Sequence, residues 1–91
     1  LYQGTLSHFE PPSYHGARHN GLLHMADGRC FELSYGGDRT LLERDGECRR
    51  AVTFEPEQVQ AMFCPGDRLQ IAYSPYTFGG ARLRAGRIRW L

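Results

Sequence analysis

The sequence predicts an all-β domain with one short helix, arranged as a small antiparallel β-barrel. Three observations predict it. Polar and apolar residues alternate with a period of two over several short runs, the mark of strands with one buried face. Two Asp-Gly pairs, Asp27-Gly28 and Asp45-Gly46, divide such runs, and Asp-Gly supplies the positive φ angles of a tight hairpin turn. The last stretch carries Arg82, Arg84, Arg87 and Arg89 on one side and Leu83, Ala85, Ile88 and Trp90 on the other, with one slip of phase at Ala85-Gly86. A single extra residue at a glycine bends a strand without turning its apolar face outward. A bent terminal hairpin of this kind closes a small barrel.

The elements follow in order. Tyr2 to Phe9 reads as a first strand, with Tyr2, Leu6 and His8 on one parity and Gly4 where the strand curls. Residues 10–20 (EPPSYHGARHN) form a long loop, broken by two prolines and Gly16. Gly21 to Ala26 and Arg29 to Tyr35 pair as a hairpin about Asp27-Gly28. Thr40 to Arg44 and Glu47 to Phe54 pair about Asp45-Gly46, with Gly36-Gly37-Asp38 as the link between the hairpins. The flanking residues of the two turns differ, so they are independent hairpins rather than a repeat. Glu55 to Phe63 is the helical candidate. Pro56 suits the first helical position and Glu57 the positive end of the dipole. Val59, Met62 and Phe63 make one apolar stripe, and Cys64-Pro65-Gly66 ends it. Two turns of helix are unstable alone, so this one plugs an open side of the sheet. Arg68 to Tyr73 alternates with Leu69, Ile71 and Tyr73 on one face, and residues 74–80 form the loop to the final strand.

Ninety-one residues make one domain, and the absence of an initiator Met suggests a fragment or mature part of a longer chain. Hydrophobic residues at 41% suit a folded core, and no apolar run is long enough to cross a bilayer as a helix. The net charge of +1 predicts no strong field for polyanions. The charge is nevertheless uneven: residues 1–67 hold six Arg against ten acids, giving −4, and residues 68–91 hold five Arg and no acid, giving +5. All eleven basic residues are Arg. That usage suits bidentate recognition of carboxylate or phosphate, but GC-rich coding explains it more simply and points to a bacterial origin. The compartment stays open between cell envelope or periplasm and cytoplasm. Cys30, Cys48 and Cys64 are an odd set, compatible with one disulfide and a free thiol or with three thiols. Cys30 and Cys48, inside strands, are expected in the core.

The order of elements is strand, long loop, hairpin, inserted hairpin, short helix and bent hairpin. With residues 38–54 set aside as the insertion, this order resembles the OB-fold, in which five strands carry a helix between the third and fourth. An SH3-like or other small barrel is the competing architecture. The OB resemblance implies ligand binding on the face of the second and third strands and at the loops between strands one and two and strands four and five. Here those loops are residues 10–20 and 74–80, expected to emerge side by side at one mouth of the barrel. The inserted hairpin departs from the minimal pattern and could cover the usual binding face. The two loops hold Tyr14, His15, Arg18 and His19 on one side and Tyr76 and Phe78 on the other, with Arg82 and Arg84 just beyond. Aromatic residues with arginine anchor protein partners or stack on bases. The same aromatics also serve to lid a barrel end.

Catalytic and metal chemistry find little support. His8, His15, His19, His24 and Cys30 are a candidate metal set, but His15 and His19 lie in a loop broken by Gly and Pro, which loses the helical i, i+4 geometry. Cys64 sits at the wrong end of a helix for an activated thiol, Ser7-His8 lacks an orienting acid and an elbow motif, and no glycine-rich phosphate loop is present. The expectation is therefore a non-enzymatic module without cofactor or metal. Its first partner class is protein, within a larger or envelope-associated assembly. Single-stranded nucleic acid is the alternative, and a metal-dependent or Cys/His enzyme fragment the second. The arginine row is expected to pair largely with acids of its own domain, such as Glu43, Glu47 and Glu55.

Overall fold

A computed structural model of the chain describes residues 1–11, 21–33, 40–74 and 83–91. Its strands are β1 (Tyr2–Glu10), β2 (Gly21–Met25), β3 (Cys30–Leu33), β4 (Leu41–Arg44), β5 (Glu47–Arg50), β6 (Arg68–Ser74) and β7 (Leu83–Trp90). A 3-10 turn (Ala51–Thr53) and one helix, α1 (Pro56–Met62), lie between β5 and β6. The strands hydrogen-bond in the order β3-β2-β1-β6-β7-β4-β5, and β3 also pairs with β7. That extra pairing closes β1, β2, β3, β7 and β6 into a five-stranded barrel, compatible with an OB-like barrel, with β4 and β5 outside it. Four of the barrel's five seams are antiparallel. The closing seam, β3 with β7, is parallel.

Strand β7 has two partners in succession on one flank. Phe31 to Leu33 of β3 run alongside Leu83 to Ala85, and then Leu41 to Glu43 of β4 run alongside Arg87 to Arg89. The inserted hairpin therefore extends the sheet along β7, rather than covering β2 and β3. The handover falls at the predicted slip of phase. On the other flank Ala72 pairs with Arg87 and Tyr73 with Ala85, leaving Gly86 as the extra residue. A Cβ on Gly86 would sit 3.3 Å from the Ala72 carbonyl oxygen, tighter than most neighbours permit. Buried Thr40, between β3 and β4, donates its hydroxyl to the Ala85 carbonyl at 2.8 Å. It thereby supplies a hydrogen bond where one strand's ladder gives way to the next.

A second bulge revises β1. Leu6 pairs with Met25 and His8 with His24, so Ser7 is the extra residue. Parity changes there. Leu6 is buried and Phe9 turns inward, while His8 is exposed rather than on the face of Tyr2 and Leu6. Strand β5 is also shorter than expected, because the chain turns into the 3-10 element at Ala51. None of the three cysteines is in a disulfide, and contrary to expectation neither Cys30 nor Cys48 is in the core: Cys30 is half-buried, Cys48 and Cys64 exposed.

The core runs through the barrel as Tyr2, Leu6, Leu23, Met25, Phe31, Leu33, Leu42, Leu69, Ile71, Ala85 and Ile88, joined by Ala51, Val59 and Phe63 from outside the strands. Helix α1 forms where Pro56 opens it and where Gln58 Oε1 accepts from the Glu55 N–H at 2.8 Å. It ends at Phe63, whose ring packs on Phe9 at 4.9 Å and on Trp90 at 4.7 Å between centroids. One carboxylate oxygen ties this end together: Asp67 Oδ2 accepts from Cys64 N–H at 2.9 Å and from Trp90 Nε1 at 3.1 Å. The start of β1 is tied differently. Tyr2 packs on Phe31 and donates its phenol to Asp27 Oδ2 at 2.8 Å, while Arg29 lies over the Tyr2 ring. Asp27 Oδ1 also accepts the Arg29 N–H at 3.0 Å, fixing the hairpin turn.

Two outcomes follow for stability. Thr40→Val keeps the shape but strands the Ala85 carbonyl, and urea unfolding should show a loss of about 1–3 kcal/mol. Burial first, and then the bond to Asp27, push the Tyr2 phenol from 10.0 up to about 12. The folded state thus prefers the neutral phenol. Its contribution is whole below pH 10.0 and is lost as pH rises through about 12. Tyr2→Phe should abolish that share of the alkaline loss of stability, read as the difference between the two proteins' unfolding free energies from pH 9.5 to 12.

Candidate functional site

Closing the barrel leaves an outer face built by β1, β2, β3 and β7, with the end of β6 at its margin. Directly paired residues point to the same side of a sheet, so the registers define its rows. The first row runs Glu10, Leu22, Glu32, Arg84 and Ser74 across five strands. The second runs His8, His24 and Cys30. The Ser7 bulge creates this face, because it turns His8 and Glu10 outward together.

Three features distinguish it. Leu22 is 6% exposed although it lies outside the central apolar cluster. The rings of His8 and His24 stack, with centroids 4.3 Å apart and planes within 10°. Two polar nitrogens are buried with no hydrogen-bond partner among the described residues, His24 Nε2 and Arg84 Nε. Glu10 Oε1 does come within 3.4 Å of His24 Nε2. That is an ion-pair distance, without the geometry of a hydrogen bond. Arg84 itself is half-buried and its register neighbour on β3 is Glu32.

Of the residues singled out in the sequence, Arg84 is the one that falls within the described chain, and it stands in this face. Tyr14, His15, Arg18, His19, Tyr76, Phe78 and Arg82 lie outside the described residues. The strands that flank their segments are described. Glu10, near the start of one segment, and Ser74, at the start of the other, are the two ends of the first row. The expectation that residues 10–20 and 74–80 share one mouth falls largely on residues outside those described. Sequence reasoning passed over Glu10, Leu22 and Glu32, and weighed His8, His24 and Cys30 for metal or catalytic chemistry or, for Cys30, as core, but not as members of a binding face. The usable signal was the continuous apolar pair Leu22-Leu23, which no single-faced strand explains.

The arginine strand divides. Arg82 is outside the described residues, Arg84 joins the face above, and Arg87 and Arg89 belong to a second surface beside β4. Both approach Glu43 Oε2, at 4.0 Å and 3.8 Å, as the expectation of pairing within the domain requires. Arg87 Nη2 also donates toward Cys48 Sγ at 3.6 Å. Glu43, Arg87 and Arg89, with Leu1, Gln70 and Ala72, line an open groove of about 210 Å³. Exposed ion pairs of this length add little stability.

Among the described residues no group of three His, Cys, Asp or Glu side chains is placed to hold a metal ion. Ser7 Oγ lies 3.5 Å from His8 Nδ1, both exposed, while the His8 ring packs against His24 rather than against an orienting carboxylate. No helix of the described chain is long and apolar enough to cross a membrane. Comparison of the chain with protein-family models, with curated proteins and with solved structures finds no match.

The exposures set an order of thiol reactivity. In native protein Cys48 and Cys64 should react rapidly with a chromogenic aromatic disulfide, and half-buried Cys30 severalfold more slowly. Mass spectrometry of the labelled peptides would check that order.

Proposed function

We propose that this domain is a non-enzymatic binding module that recognises a protein partner through the outer face of β2, β3 and β7, within a larger or envelope-associated assembly. One observation carries the reading: two buried nitrogens on a single face, His24 Nε2 and Arg84 Nε, have no hydrogen-bond partner among the described residues. Buried donors are normally satisfied, and a peptide segment offers the carbonyl and carboxylate oxygens that would satisfy them. The stacked His8–His24 pair adds planar surface beside them. On this reading Tyr14, His15, Arg18, His19, Tyr76, Phe78 and Arg82 extend the site as anchors beyond the row Glu10 to Ser74.

The alternative is single-stranded nucleic acid on the same face. It is favoured by the strand order, since a barrel closed as β1-β2-β3-β7-β6 suits an OB-fold, whose corresponding face binds oligonucleotides. The charge argues against it. Glu10 and Glu32 occupy the first row beside Arg84, and the whole chain carries only +1. Phosphate recognition needs an excess of cations.

Binding to an array of short acidic and neutral peptides, and to labelled oligothymidylate at increasing salt, separates the two. A peptide hit should weaken about tenfold or more on Arg84→Ala, in keeping with the loss of a buried charged contact. Oligonucleotide binding with a steep salt slope would replace the protein reading with the alternative. If combined replacement of Leu22, His24 and Arg84 weakens neither kind of binding, this face is not the site.

A further inference from the structure

A closed barrel has no strand edges, but the inserted hairpin gives this one an edge. Strand β5 is the last in the sheet and pairs with β4 alone among the described strands. All four of its residues, Glu47, Cys48, Arg49 and Arg50, are exposed. The hairpin turn is the two-residue type that positive φ at Asp45 (54°) and Gly46 (83°) defines. Its flanking pair, Arg44 and Glu47, is then hydrogen-bonded, and alternation sends the N–H and C=O of Glu47 and Arg49 toward β4. The backbone groups of Cys48 and Arg50 point to the open side. There Thr53 Oγ1 already donates to the Arg50 carbonyl at 2.7 Å, so Cys48 supplies the backbone donor and acceptor at the centre of the edge.

An edge can pair with a second copy of itself about a two-fold axis normal to the sheet, and that axis must pass through a residue facing its own equivalent. Four registers centre on this strand. Centring on Glu47 opposes two carboxylates. Centring on Arg49 or on Arg50 opposes two guanidinium groups. Centring on Cys48 sets Glu47 against the second copy's Arg49 and Arg49 against its Glu47, two favourable cross-strand pairs. We propose that β5 is a self-association edge, on which a second copy of this chain docks antiparallel with Cys48 at the two-fold axis. The two sheets become continuous through their β5 strands. This surface is separate from the face of Leu22, His24 and Arg84, and the proposal does not rest on that face.

The arrangement brings two exposed thiols together. Opposed residues in a hydrogen-bonded antiparallel pair have Cα atoms about 5.5 Å apart, within the span a disulfide bridges. Arg87 Nη2, 3.6 Å from Cys48 Sγ, holds the thiol on the outer face of the sheet. A peroxide can join them. Each thiol gives up its proton, a sulfur–sulfur bond forms, and the two electrons released break the peroxide O–O bond, so hydrogen peroxide leaves as two waters.

The test uses the whole chain with Cys30→Ser and Cys64→Ser, so that Cys48 is the sole thiol. Titration with hydrogen peroxide should convert it to a dimer on non-reducing gels, and Cys48→Ser should abolish the band. Glu47→Arg and Arg49→Glu should each slow dimer formation by about three- to tenfold, and the two together should restore it, because the exchanged charges again oppose. Circular dichroism of each variant confirms that the barrel is folded. Dimer formation indifferent to the single charge reversals, or not rescued by the double one, overturns the register. A Cys48→Ala protein that stays monomeric in sedimentation at millimolar concentration overturns the self-association.

Discussion

The parallel seam between β3 and β7 is the constraint on which the rest of the molecule depends. Without it the strands form an open, strongly bent sheet, with two unpaired edges and an apolar face that includes Phe31, Leu33 and Ala85. With it, β7 must serve three strands: β6 along one flank, and β3 followed by β4 along the other. The Gly86 bulge and the Thr40 hydroxyl both sit where β7 passes from one partner to the next. The bulge lets β7 bend without rotating Ala85 or Ile88 out of the core. The hydroxyl adds a hydrogen bond to the Ala85 carbonyl at that handover. The inserted hairpin is thus an extension of the seam rather than an addition to the surface.

What could be read in the residues follows from how local each signal is. Both hairpins were visible because Asp-Gly commits the backbone to one turn, and the helix because Pro56 opens it and Cys64-Pro65-Gly66 ends it. The Gly86 bulge was visible because four arginines mark the phase on both sides. The Ser7 bulge was not. A serine carries no backbone signature, and His8 passes as either an inward or an outward residue. That one slip decides whether His8 and Glu10 face the core or the candidate site, so the site was the less legible part. The end of β5 was missed for a related reason: Val52 and Phe54 continue the apolar alternation past the point where the backbone has already turned. The parallel pairings have no local signature at all, since they join residues far apart in the chain. Arg84 was singled out as one of a row of four arginines, and its actual role depends on the strand across the seam.

The two ends of the barrel are held by different physics. At one end Phe9, Phe63 and Trp90 stack around the helix, and the Asp67 carboxylate receives two donors from elements that would otherwise be independent. At the other, Tyr2, Phe31 and the Asp27 turn form a polar clasp over an aromatic floor. Between them lies the face of Leu22, His24 and Arg84, where apolar area and unsatisfied nitrogens stand together. The acids are divided between these places: Asp27 and Asp67 hold the ends, while Glu10 and Glu32 line the candidate face.

Strand β7 comes last of the seven described strands, yet it touches β3, β4 and β6. A ribosome releases the first six strands before the piece that seals them, so the nascent domain waits as a half-rolled sheet whose apolar lining is open to water. The time from the emergence of β3 to that of β7 is then the interval in which a chaperone, or a neighbouring nascent chain, competes for the same groove. Slow codons placed after Trp90 would protect the barrel, and slow codons between Ser74 and Leu83 would prolong its exposure.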